Sequence, residues 1–201
     1  MAAPKNSAYL RRLPLTLIAG MVLWLLLRPG IDVTVAKLAQ TLVRSFEYPK
    51  VTRLVVDDHR AEIRRADFRS DSAIPTVSMT EITFNTIVLL ALYLALPKPF
   101  SRHQLERLFM GWCILCLSQS LNLVFHVKTT YALGLGEWSQ LHYSEFARNF
   151  WGYLRYFTDL PGRFSFPFLI WLGFNWEPVM KIVMPRDEVR KPARKKGRAR
   201  K

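Results

Sequence analysis

The chain has 201 residues, 50% of them hydrophobic and 13% aromatic, and its 29 Lys and Arg outnumber 15 Asp and Glu. The apolar residues fall in blocks with the charges between and beyond them, which excludes an ordinary water-soluble domain and points to a bilayer. The two cysteines, Cys113 and Cys116, sit too close together to staple distant loops, which excludes a disulfide framework.

Residues 1–12 hold Lys5, Arg11 and Arg12 and no acid, and are expected in the cytoplasm. Residues 13–28 form the first predicted span. Its core reads LPLTLIAGMVLWLLL, and snorkelling of Arg11, Arg12 and Arg28 extends it toward a hydrocarbon thickness of about 30 Å. We read it as an uncleaved anchor, because the nearest small-residue cleavage site, ending at Ala36, lies beyond Arg28, Pro29 and Gly30.

Residues 29–78 are a polar insert, and over 28–81 nine basic residues stand against eight acidic ones. Val35, Leu38, Leu42 and Phe46 recur at helical spacing, which predicts an amphipathic helix lying on the membrane surface and ended by Pro49. Residues 51–56 and 60–68 then read as a β-hairpin turning at Asp57, Asp58 and His59.

Residues 79–97 form the second span, with Glu81, Thr83 and Asn85 at its start and Pro97 and Pro99 at its stop. A basic link at 98–107 carries Lys98, Arg102 and Arg107. The third span, 108–127, contains Ser118, Gln119, Ser120 and Asn122. A loop of little charge at 128–147 leads to the fourth span, 148–176, expected to kink at Leu160, Pro161 and Gly162. The tail, 177–201, has ten basic residues and three acidic ones.

Four spans place the three basic segments, 1–12, 98–107 and 177–201, on one face, which the positive-inside rule makes cytoplasmic. The predicted fold is therefore mainly α, an integral membrane protein with about four transmembrane helices and a small extracytoplasmic helix-and-hairpin insert. The protein is expected in a bacterial inner membrane with both termini on the cytoplasmic side.

Enzyme signatures are lacking: there is no GxGxxG, Walker loop, HExxH or GxSxG, and His59, His103, His126 and His142 show no ligand spacing. No cofactor or metal is expected. Cys113 and Cys116 follow Trp112 in a WCxxC arrangement, as in thiol–disulfide exchange sites, where a helix N-terminus activates the first thiol. Inside an apolar span they read instead as small packing residues. Arg155, Asp159 and Arg163 are spaced by four and share one helical face. Charges at membrane depth face a partner or a cavity, so the row is either a self-satisfied ladder or a docking site for another membrane protein. Asn85, Gln119 and Asn122 are the polar candidates that join it. The tail lacks interleaved aromatics and a folded reading head, so a disordered cytoplasmic retention signal with incidental attraction to anionic lipid is expected rather than nucleic-acid binding.

In layout the chain resembles the exosortase H-associated membrane proteins. The matching pieces are Arg53 to Val56 with Ala61 to Ile63, the apolar stretch 84–96, the Gly111–Trp112 pair, and Gly152, Tyr153, Tyr156 and Phe157 leading to Leu160 and Pro161. The resemblance implies a non-catalytic accessory of an exosortase, a multi-span enzyme that processes C-terminal sorting signals of exported proteins. It assigns no catalytic residue here. Membrane lipid and an integral membrane protein, an exosortase first, are the expected partners. The competing readings are a membrane thiol oxidoreductase using Cys113 and Cys116, and a scaffold subunit of an envelope or photosynthetic complex.

Overall fold

A computed structural model describes residues 6–67 and 73–176. The basic tail and the first five residues lie outside them. The fold is mainly helical, with one small sheet.

Helix α1 runs without interruption over Asn6–Ser45, 40 residues and therefore about 60 Å long. The expected break near Arg28, with a separate helix lying on the membrane, does not occur. Pro14 and Pro29 both lie inside the helix. Each removes one backbone bond, and beyond Pro29 the buried face from Ile31 to Val43 holds the helix in place. The face that α1 buries also differs from the predicted stripe. Ile31, Asp32, Val35, Ala36, Ala39 and Val43 are buried, whereas Leu38 is 41% and Phe46 85% exposed. The small Ala36 and Ala39 let neighbouring elements approach closely, and that approach selects the face.

The predicted hairpin is present with a third strand. Strands β1 (Thr52–Asp57), β2 (Arg60–Arg65) and β3 (Thr76–Ser78) form an antiparallel sheet in the order β1-β2-β3. Asp57 pairs with Arg60, so Asp58 and His59 are a two-residue loop, and both have positive φ (40° and 58°). That is the backbone twist a tight hairpin requires. Leu54, Ala61, Ile63 and Val77 point inward and join Val35, Val43 and the helices in one core. The outer edge of β1 is blocked by side chains: Leu54 N donates to Gln40 Oε1 at 2.8 Å and Thr52 N to Glu47 Oε2 at 3.0 Å. A covered edge does not template strand addition.

The sheet leads into α2 (Met79–Thr83) and α3 (Asn85–Leu94), then α4 (Arg102–Leu133), α5 (Glu137–His142) and α6 (Glu145–Phe157). A π-helical turn, Thr158–Gly162, contains Pro161 and carries α6 into α7 (Arg163–Phe174). Inserting one extra residue per turn is how a helix accommodates a proline without ending. Gly20 packs α1 onto α3; a Cβ there would come within 2.9 Å of the Ile87 carbonyl. Farther along, Ser120 Oγ lies 3.3 Å from the Val35 carbonyl, so α1 passes from α3 to α4. A second core joins α3, α4 and α7 through Leu89, Leu92, Leu96, Leu115 and Trp171.

Candidate functional site

Between membrane helices there is little hydrophobic driving force, so close packing and polar contacts do the joining. Among the described residues, three groups of polar side chains join the helices on that principle.

The first is centred on Asp159, in the π-turn. His126 Nε2 of α4 lies 2.9 Å from Asp159 Oδ1, Arg155 Nε lies 3.4 Å from Oδ2, and Arg163 Nη2 lies 3.7 Å from Oδ1. Arg163 also reaches Glu81 Oε2 of α2 at 3.8 Å. One residue earlier, Thr158 Oγ1 donates to Asn122 Oδ1 at 2.9 Å. The structure thus unites Arg155, Asp159, Arg163 and Asn122, and adds His126, Thr158 and Glu81. His126 was hidden among scattered histidines, yet Gln119, Asn122 and His126 are spaced by three and four and share one face of α4.

The second group pairs Gln119 with Asn85. Gln119 Nε2 donates to Asn85 Oδ1 at 2.6 Å and to Thr86 Oγ1 at 2.9 Å, and all three residues are buried. Gln119 and Asn85 therefore clamp α3 to α4 and do not join the charged row.

The third group was missed in the sequence. Asp32 is fully buried on α1. Its carboxylate lies 3.1 Å from His59 Nδ1 in the hairpin loop and 3.6 Å from Arg28 Nε, and it accepts a hydrogen bond from Thr83 Oγ1 at 3.1 Å. Arg28 also donates to Thr80 Oγ1 and stacks over the Trp24 ring at 5.0 Å. One carboxylate thereby joins α1, the hairpin and the start of the second apolar segment. The available signal was the Arg28–Asp32 spacing of four, at the boundary between the predicted first span and the polar insert.

Cys113 and Cys116 are free; Cys113 is exposed and Cys116 buried. Cys113 lies eleven positions into α4 from Arg102, three turns from the helix end that activates thiols in exchange sites. Among the described residues, no group of three or more His, Cys, Asp or Glu is placed to hold a metal.

Much of the surface that α1, α4, α6 and α7 turn outward is apolar. Two helices, over Arg11–Ser45 and Arg102–Leu133, are long and apolar enough to cross a bilayer, and Met79–Leu94 is a shorter apolar helix. No residue of α6 is fully buried, and Phe146, Phe150, Tyr153 and Phe157, spaced by four, three and four, line one exposed side of it.

The model of the exosortase H-associated membrane protein family matches residues 4–177. The chain belongs to that family. The match covers the described helices, the sheet and all three polar groups, so the resemblance in layout holds as membership. The family's description is of an associated membrane protein, consistent with an accessory role in an exosortase system. No curated protein and no solved structure matches the chain.

Proposed function

We propose that this protein is a non-catalytic accessory and assembly subunit of a bacterial inner-membrane complex, partnered with an exosortase. It crosses the membrane four times, through α1, α2–α3, α4 and α6–α7, with both termini in the cytoplasm. The sheet and the 128–147 loop then face the periplasm. Two levels of polar contact support this reading. At one end Tyr93 OH donates to the Arg107 carbonyl at 3.1 Å, and Arg107 Nη1 lies 3.4 Å from Asn175 Oδ1. At the other end lie the Arg28–Thr80, Arg163–Glu81 and His126–Asp159 contacts. Arg107 and His126 are nineteen positions apart on α4, about 28 Å along its axis, against a hydrocarbon core of about 30 Å.

The observation that carries the accessory reading is the exposed aromatic side of α6. Behind it the charged row is satisfied largely within the chain, while Phe146 (79% exposed), Phe150, Tyr153 and Phe157 are turned outward. Contiguous exposed aromatic surface marks contact with another protein or the membrane interface. The occupant we propose is the exosortase, with Arg155, whose side chain is 45% exposed, as the polar contact at its margin.

Co-purification in mild detergent tests this. The exosortase should be recovered with the wild type and lost with the Phe146→Ala/Phe150→Ala variant, while Cys113→Ser/Cys116→Ser retains it. A chain that purifies without any membrane partner would overturn the assignment. A redox phenotype of the cysteine variant would instead support the thiol oxidoreductase, and a pigment at fixed stoichiometry the scaffold. A reporter fused after residue 70 should read periplasmic and one after residue 190 cytoplasmic.

A further inference from the structure

The last turns of α1 and the open end of the β1–β2 pair enclose a pocket of about 500 Å³. Gln40, Arg44, Lys50, Arg53, Arg64 and Arg65 line it, and no carboxylate does. Carboxylates nearby engage only part of this charge. Arg64 pairs with Glu62 at 2.6 Å, and Arg65 with Asp67 at 2.7 Å and Glu47 at 3.6 Å. Arg44, Lys50 and Arg53 reach no carboxylate among the described residues.

Three details go beyond a basic surface. Arg53 stands directly opposite Arg64 across the strand pair, and like charges in that position oppose pairing. Arg44 donates through Nη2 to the Lys50 carbonyl at 3.2 Å, which holds its guanidinium at the wall, while its buried Nε has no partner. Gln40 uses its Oε1 on Leu54 N, leaving its amide nitrogen as a donor.

We infer that this pocket is a binding site for an oxyanion, a phosphate- or carboxylate-bearing group that bridges Arg44, Arg53 and Arg64. Planar guanidinium forks match such groups, and charge-assisted hydrogen bonds to them are the strong ones. The volume falls within the range of small-molecule sites, about 300–1,000 Å³, so it accommodates a larger group attached to the anion. The source is a soluble or exported molecule rather than a lipid headgroup. Arg44 lies sixteen positions beyond Arg28 on the same helix, about 24 Å along its axis. Only this choice of source rests on α1 crossing the bilayer as proposed; the site itself does not depend on an exosortase partner.

The test uses the full chain in detergent, titrated with inorganic phosphate and with pyrophosphate at constant ionic strength. Both should raise the unfolding temperature, since a ligand that binds only the folded state stabilises it. Arg44→Gln/Arg53→Gln should weaken binding about tenfold or more. Arg53→Gln alone, an exposed position that leaves the core untouched, should weaken it several-fold without lowering the ligand-free unfolding temperature. Arg102→Gln, at the far end of the molecule, should bind as the wild type does. No effect of either anion on the wild type, or equal effects on wild type and Arg53→Gln, would overturn the site. In nanodiscs, phosphate affinity should be the same with zwitterionic and with anionic lipid. Competition by the anionic lipid would assign the site to headgroups and overturn the soluble source. Loss of exosortase co-purification with phosphate binding intact would count against the accessory reading alone.

Discussion

His126 and Asp159 meet 2.9 Å apart where α4 packs against the π-turn, and this contact binds the last apolar segment to the third. His126 is 5% exposed, and the Asp159 side chain 20%. Removing one partner of a buried polar pair leaves the other unsatisfied, at about 1–3 kcal/mol. His126→Ala should therefore lower the unfolding temperature in detergent clearly. Arg155→Gln, at a more exposed neighbour of the same carboxylate, should cost less than about 1 kcal/mol. Equal effects of the two would show that the imidazole is not the principal partner.

Asp32 should be the more sensitive carboxylate. It is fully buried, and Arg28, His59 and Thr83 all converge on it. Replacing it alone strands Arg28, whose side chain is only 14% exposed, and such losses run to about 3–5 kcal/mol. Arg28→Met/Asp32→Leu should be less damaging than the two single costs summed, because the pair is removed together. Strict additivity in thermal unfolding would refute the coupling.

The sheet carries a pH dependence of defined sign. A hydrogen bond from Arg65 holds the Asp67 carboxyl below its ordinary range. Its contribution to stability is present above the unfolded pKa of about 3.9. It is lost as pH falls through the lower folded value. Arg65 also covers the Trp138 ring at 5.0 Å, so Trp138 fluorescence reports the loss. Below about pH 4 the wild-type signal should change, and Asp67→Asn should flatten that change. An unaltered acid limb in the variant would show that Asp67 is not responsible.

Gly20 sets the approach of α1 to α3. A Cβ at this position meets the Ile87 carbonyl at 2.9 Å and the Ala91 nitrogen at 3.3 Å, both backbone atoms that cannot swing aside. Gly20→Val should push the helices apart and destabilise by about 1–3 kcal/mol, the usual cost of overpacking. Gly30→Ala, with nothing within 4 Å of its Cβ, is the control and should be neutral or slightly stabilising. If both variants unfold at the same temperature, the α1–α3 crossing is not closed through Gly20.

Much of the outline was legible in the residues themselves. Apolar blocks separated by charge mark a membrane protein, because the cost of exposing such blocks to water does not depend on how the helices pack. Leu54 and Val56 before Asp58 and His59, and Ala61 and Ile63 after them, recur at every second position and mark the hairpin, since period two follows from strand geometry alone. The Arg155–Asp159–Arg163 spacing places three charges on one face whatever lies opposite. Packing decided the rest. The first predicted span ends at Arg28, yet the buried face from Ile31 to Val43 carries the helix on through Pro29. The third strand, only Thr76–Ser78, is too short to announce itself and exists because β2 offers an open edge. Local spacing could list Asp32, His59, Asn122 and His126, but the hydrogen-bond partners that join them to other elements lie 27 to 51 positions away along the chain, and only the tertiary fold sets such distances.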